Sequence, residues 1–169
     1  MFSVLGKSFK TGCLTERLPA RDKTTVQLGS DCQKEIARVF SKSLAIRMVD
    51  AGSCNGCELE MHAVNNGFYD IERFGIHFVA SPRHADLLLV TGPVSRHMQA
   101  ALKRTYEAMP APKIVIAMGD CGADGGEFGV SYASCGAVAN VIPVDAVIHG
   151  CPPTPLQLLL GILEVLQRY

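Results

Sequence analysis

The sequence predicts a single α/β domain whose parallel sheet is covered by helices on both faces. Three observations predict it. Short apolar runs alternate along the chain with segments of helical spacing. One run, Leu87-Leu88-Leu89-Val90-Thr91, is continuously apolar, as a strand buried on both faces must be. Hydrophobic residues make up 48% of the chain and charged residues 19%, a balance that suits a buried sheet or a subunit that hides surface against partners. A length of 169 residues is enough for one domain with a real core.

The elements follow in order. Residues 1–31 mix short apolar groups with Gly6, Gly12, Pro19 and Gly29, and read as irregular unless ordered by something else. From Gln33, the residues Ile36, Val39, Phe40 and Leu44 fall at helical spacing, with Lys34, Arg38 and Lys42 mostly on another face. Such a basic amphipathic helix can lie on a membrane, dock on a partner or pack on its own domain. Residues 1–43 are therefore assigned to an N-terminal extension and 44–169 to the α/β domain.

Within the domain, strands are predicted over 44–49, 76–79, 87–91 and 113–118, with a further one inside 141–148 interrupted by Pro143. Helices are predicted from Glu58 to about Asn66 and from Arg96 to Met109, where Pro110 and Pro112 end the second. A last helix runs to about Gln167, capped by Thr154 with Pro155 in its first turn.

Charge and targeting signals exclude several classes. Lys/Arg and Asp/Glu are balanced at 16 each, but residues 1–43 are basic and the body is acidic. No basic stripe crosses the body, so nucleic acid is not an expected partner. No stretch approaches the ~20 apolar residues of a transmembrane helix. The start, Met1-Phe2-Ser3-Val4-Leu5-Gly6-Lys7, has neither a long apolar core nor paired arginines, so no secretory or twin-arginine signal is expected. In a reducing compartment, seven cysteines point to metal or redox chemistry rather than disulfides.

Four of those cysteines have telling settings: Cys54 and Cys57 in Gly52-Ser53-Cys54-Asn55-Gly56-Cys57-Glu58-Leu59-Glu60, Cys121 in Gly119-Asp120-Cys121-Gly122, and Cys151 in His149-Gly150-Cys151-Pro152-Pro153. Cys54, Cys121 and Cys151 each follow a predicted strand, and functional groups of parallel sheets gather at the carboxyl ends of strands. Four thiolates suit tetrahedral zinc or an iron–sulfur cluster. Structural zinc sites usually draw on two close pairs, whereas one pair plus two dispersed ligands favours a cluster. A thioredoxin-like redox pair would leave Cys121 and Cys151 unexplained. Gly52, Gly56, Gly119, Gly122 and Gly150 would let backbone amides approach inorganic sulfides. Cys135 sits among small residues as a packing thiol would, and Cys13 and Cys32 have no partner motif.

Around this set, Arg83 and the carboxylates Glu58 and Glu60 are candidates for tuning cluster charge, the glutamates equally suiting a helix N-terminus. His62, His84, His97 and His149 can titrate near neutrality, with a surface or structural role as the default for each.

The motifs Ser53-Cys54-Asn55-Gly56-Cys57-Glu58, Ser81-Pro82-Arg83-His84-Ala85-Asp86, Gly119-Asp120-Cys121 and Gly150-Cys151-Pro152-Pro153-Thr154 resemble the small subunit of membrane-bound [NiFe] hydrogenases. They are most similar to the formate hydrogenlyase and hydrogenase-4 group, and are related to the 20 kDa, B-type subunit of NADH–quinone oxidoreductase (complex I). The resemblance spans roughly residues 44 to 167. It implies a flavodoxin-like domain binding one [4Fe–4S] cluster through Cys54, Cys57, Cys121 and Cys151. It also implies a nickel–iron centre in a partner large subunit, not in this chain, with ferredoxin-like and integral membrane subunits as further partners. The implied place is peripheral, on the cytoplasmic face of the cell membrane, and the chain alone would not be catalytic. Quinone-reducing relatives carry adjacent cysteines at the first motif, so Asn55-Gly56 between Cys54 and Cys57 favours the hydrogenase branch. The alternatives are a complex I-type quinone reductase subunit and a structural zinc scaffold.

Overall fold

A computed structural model describes residues 23–169. Its five strands, β1 (Leu44–Asp50), β2 (Ile76–Phe78), β3 (Leu87–Thr91), β4 (Ile114–Met118) and β5 (Ala146–Ile148), form one sheet in the order β2-β1-β3-β4-β5. Every pairing is parallel. Among the described residues five α-helices accompany them: α1 (Lys23–Phe40), α2 (Gly56–Val64), α3 (Gln99–Ala108), α4 (Asp120–Asp124) and α5 (Pro155–Leu166). This is the predicted doubly covered α/β fold.

Strand periodicity explains the two cores. Side chains alternate across a strand, so Leu87 and Leu89 pack with α1, α2 and α5 on one face, while Leu88 and Val90 pack with Leu102 of α3 on the other. β4 divides the same way, with Ile114, Ile116 and Met118 on one face and Val115 and Ala117 on the other. Burial of each such aliphatic side chain contributes about 1.5–3 kcal/mol. Two aspartates prolong the ladders at strand starts: Asp86 Oδ2 accepts from Ala45 N–H at 3.0 Å, and Asp145 Oδ2 accepts from Val115 N–H at 2.7 Å.

α1 differs from the sequence reading. It begins at Lys23, ten residues before the predicted start, and its stripe Leu28, Cys32 and Ile36 is buried against α5. Gly29, read as punctuation of an irregular segment, is a packing seat: a Cβ there would drive into the Phe74 ring. Cys32 is fully buried and its thiol faces Leu159 O at 3.7 Å. Burial first, then the neighbouring Asp31 charge, pushes that thiol up to about 12. Arg38 Nη2 donates to Leu166 O at 2.9 Å, pinning the two helices at their ends. The buried stripe of this amphipathic helix is covered by its own domain. The remainder of the expected irregular segment, with Cys13, lies outside the described residues.

α5 starts as predicted at Thr154 and Pro155. Thr154 Oγ1 accepts from Gln157 N–H, and the Gln157 side chain accepts from Thr154 N–H at 2.8 Å, a reciprocal cap. The strand expected inside 141–148 shrinks to β5, because Val141 and Ile142 both donate their N–H groups back to Val138 O, at 2.9 and 3.1 Å, and so continue the 3₁₀ turn of residues 138–140 instead of pairing in the sheet. No described helix is long and apolar enough to cross a membrane.

Candidate metal centre

The chain leaves β1 and β3 toward opposite faces of the sheet, α2 packing on one and α3 on the other. Between such strands the departing loops part and leave a crevice at the carboxyl ends. Cys54 lies in the loop after β1, Gly92 follows β3, Cys121 lies in the first turn of α4 after β4, and Cys151 follows β5. The four cysteines line one cavity of about 100 Å³ at this edge, with Gly56, Gly92 and Gly150 among its walls. Cys54 and Cys151 are exposed, while Cys57 and Cys121 are half-buried.

Each loop is held by local bonds. Asp50, at the end of β1, accepts from Gly52 N–H and Ser53 N–H, both at 2.8 Å, and Ser53 Oγ accepts from Asn55 N–H at 3.1 Å. Asn55 then turns through a left-handed conformation, φ 71°, to start α2, which carries Cys57 in its first turn. Gly119 N–H donates to Ile148 O at 2.7 Å and Asp120 N–H to Gly150 O at 3.0 Å, continuing the β4–β5 pairing into both cysteine loops.

Two glycines touch the sulfurs. A Cβ on Gly119, whose φ is +83°, would lie 2.7 Å from Cys57 Sγ, and one on Gly126 would lie 2.8 Å from Cys121 Sγ. Only glycine leaves these sulfurs room in a left-handed backbone.

The electrostatics suit a cationic guest. Cys57 is pushed up to about 12, first by burial, then by Glu58 and by Cys54, Cys121 and Cys151. Cys121 is raised by burial first, then by Cys151 and Cys54, and by Asp120 and Asp124. The sulfurs therefore feel one another's charge, and four thiolates would repel unless a cationic group lay between them. Yet among the described residues no three His, Cys, Asp or Glu side chains are placed to hold a metal ion. Thiols spread around a cavity fit a polynuclear group better than one zinc ion, whose bonds to sulfur are only about 2.3 Å long.

The other predicted residues fare unequally. Glu58 is 4% exposed; its Oε1 accepts from the Thr91 hydroxyl, and its Oε2 is buried with no hydrogen-bond partner. It follows Cys57 directly. Glu60 is half-buried and absent from the cavity walls. Arg83 is exposed in the 3₁₀ turn Pro82–His84, before β3 and so at that strand's far end from the cysteine loops. It is not among the residues that line the four-cysteine cavity. His62 borders a neighbouring cavity of about 480 Å³ that Arg47, Met48, Met61 and Phe78 also line. His84 and His97 are exposed, and His149 Nδ1 lies 3.4 Å from Asp120 Oδ1. Cys135 is buried in the second core, as expected of a packing thiol. Sequence reasoning missed Asp50 and Asp120 as loop anchors; nothing but their position at strand ends could have signalled them.

The family model for the NADH ubiquinone oxidoreductase 20 kDa subunit matches residues 54–165, a span that includes Cys54, Cys57, Cys121 and Cys151. The chain belongs to that family. Among its relatives, formate hydrogenlyase subunit 7 of Escherichia coli is 44% identical over 140 residues, covering 83% of this chain and 53% of that protein. The chain thus spans about half the length of that relative. The probable membrane-bound hydrogenase subunit mbhJ of Pyrococcus furiosus is 42% identical, covering 79% of this chain and 80% of that protein. In the solved structure of the membrane-bound sulfane sulfur reductase, an archaeal respiratory membrane complex, a chain 37% identical superposes with a TM-score of 0.66, covering 80% of this chain and 74% of that one. An NAD⁺-reducing [NiFe]-hydrogenase chain, 17% identical with a TM-score of 0.53 over 68% of this chain and 85% of that one, shares the fold. Members of the family similar to this chain are thus subunits of oxidoreductase complexes of the hydrogenase and complex I type.

Proposed function

We propose that this chain is an electron-transfer subunit that holds one [4Fe–4S] cluster through Cys54, Cys57, Cys121 and Cys151. Its place would be beside the nickel–iron large subunit of a membrane-bound, formate hydrogenlyase-like hydrogenase. The observation that carries this reading is the convergence of four cysteines from three strand-end loops on one glycine-walled cavity. When bound, the cluster would supply one-electron transfer between ferredoxin-like donors and the partner's nickel–iron centre.

The chain's own residues position and enclose. Asp50 fixes the loop that presents Cys54, and the Asn55 turn sets Cys57 on α2. Gly119 and Gly126 keep carbon away from two sulfurs. Glu58, buried beside Cys57, places a carboxylate where it biases the charge of whatever the thiols hold; Glu60 adds a second carboxylate on the same helix. Relatedness to hydrogenase subunits supports a peripheral position on the cytoplasmic side of the membrane, next to integral membrane subunits.

A second reading, a cluster-bearing subunit that reduces quinone, is favoured by one observation: the mostly apolar cavity of about 480 Å³ beside α2, with Arg47 and His62 in its wall. Purification of the native complex under anaerobic conditions separates the readings. Nickel and hydrogen evolution support the first, and nickel-free quinone reduction replaces it with the second. A colourless preparation with one zinc per chain would overturn both in favour of a structural scaffold.

A further inference from the structure

Cys54 and Cys57 are three residues apart, so the chain itself limits their separation; Cys121 and Cys151 are thirty residues apart and depend on contacts between two loops. Those contacts centre on one residue. The β4–β5 ladder ends at Met118 and Ile148, and backbone pairing continues through Gly119 N–H to Ile148 O and Asp120 N–H to Gly150 O. The Asp120 carboxylate then reaches back: its Oδ1 accepts from Gly150 N–H at 2.9 Å and lies 3.4 Å from His149 Nδ1. Asp120 and Gly150 are thereby bonded in both directions, each one residue before a cysteine.

We propose that Asp120 is a positioning residue whose carboxylate fixes the Cys151 loop against the Cys121 loop, setting two of the four thiols at one spacing before any cofactor arrives. This role rests on the cluster reading above. One further observation supports it. Gly150 sits at φ +137°, a conformation in which a Cβ would meet Pro153, so its peptide depends on outside bonds for its orientation.

The test compares the anaerobically purified complex containing the wild-type chain, Asp120→Asn or Asp120→Ala. Two quantities are read: the rate at which an iron chelator abolishes the paramagnetic signal of this chain's cluster, defined as the signal altered by Cys121→Ser, and the exchange rate of the Gly150 amide. Loss of a charge-assisted hydrogen bond should accelerate both in Asp120→Ala by about tenfold or more. Asp120→Asn keeps an acceptor oxygen and should remain within about twofold of wild type in both. Equal rates in Asp120→Ala and wild type would overturn the role, as would Asp120→Asn as labile as Asp120→Ala. Faster cluster loss with unchanged Gly150 exchange would also overturn it, because the hold would not then run through that amide. Should Asp120→Ala fail to assemble, Asp120→Asn decides: normal assembly and retention support the role, and joint failure contradicts it. A wild-type complex with no signal sensitive to Cys121→Ser would instead refute the cluster reading itself.

Discussion

Gly119 faces Cys57 across the mouth of the site, so closely that a Cβ at Gly119 would stand 2.7 Å from the Cys57 sulfur. Gly119→Ala therefore pushes into the sulfur of a proposed ligand and strains a backbone whose φ is +83°. The expected outcome is a complex with most of its Cys121-dependent cluster signal gone and hydrogen evolution reduced about tenfold or more, at a strain of order 1–3 kcal/mol. Low-temperature paramagnetic spectra and gas measurement check it.

Thr91→Val addresses the buried glutamate beside the site. The Thr91 hydroxyl donates to Glu58 Oε1, and Glu58 Oε2 has no hydrogen-bond partner, so the substitution removes the carboxylate's side-chain hydrogen bond from Thr91. Leaving such a buried group unsatisfied costs about 1–3 kcal/mol. A thermal melt should show a midpoint lowered by about 2–4 °C per kcal/mol, and Glu58→Gln on the Thr91→Val background should recover part of it by replacing the buried carboxyl group with an amide.

Cys32 gives a pH prediction. Its thiol is pushed up to about 12 from an ordinary 9.0 by burial. Between those values the folded state keeps a proton that the unfolded state releases. The stabilisation is thus complete below about pH 9 and is lost as pH rises toward 12, on the order of 1 kcal/mol per pH unit. Denaturation midpoints should fall across this window more steeply in the wild type than in Cys32→Ala. Thiol-directed alkylation at pH 8 should spare Cys32 in the native chain.

How much was legible follows from the kind of signal each residue gives. β3 and β4 are continuous apolar runs, and their limits in the sequence nearly match Leu87–Thr91 and Ile114–Met118. The cysteines were legible because the residue type carries the chemistry and strand ends predict where it gathers. The early turns of α1 were not, because Leu28 and Cys32 make a thin stripe and Gly29 looks like a breaker until Phe74 is found above it. Arg83 shows the reverse case. It precedes a strand whereas the cysteines follow theirs, and in a parallel sheet those are opposite ends. Asp120 was invisible as an anchor, since its partner Gly150 lies thirty residues away.

Gly29→Ala tests that packing seat. Alanine favours helix by about 1 kcal/mol over glycine, but the added methyl must displace the Phe74 ring, and overpacking costs about 1–3 kcal/mol. A net loss of stability is expected, and Gly29→Ala combined with Phe74→Leu should be less destabilised than the sum of the two single changes.

Cys54, Cys57, Cys121 and Cys151 are proposed to hold one redox-active cluster. The most direct measurement is the low-temperature paramagnetic spectrum of the reduced complex with wild-type chain and with Cys121→Ser. Loss or conversion of one iron–sulfur signal, together with loss of hydrogen formation, is the predicted result. An unchanged spectrum with unchanged activity would contradict it.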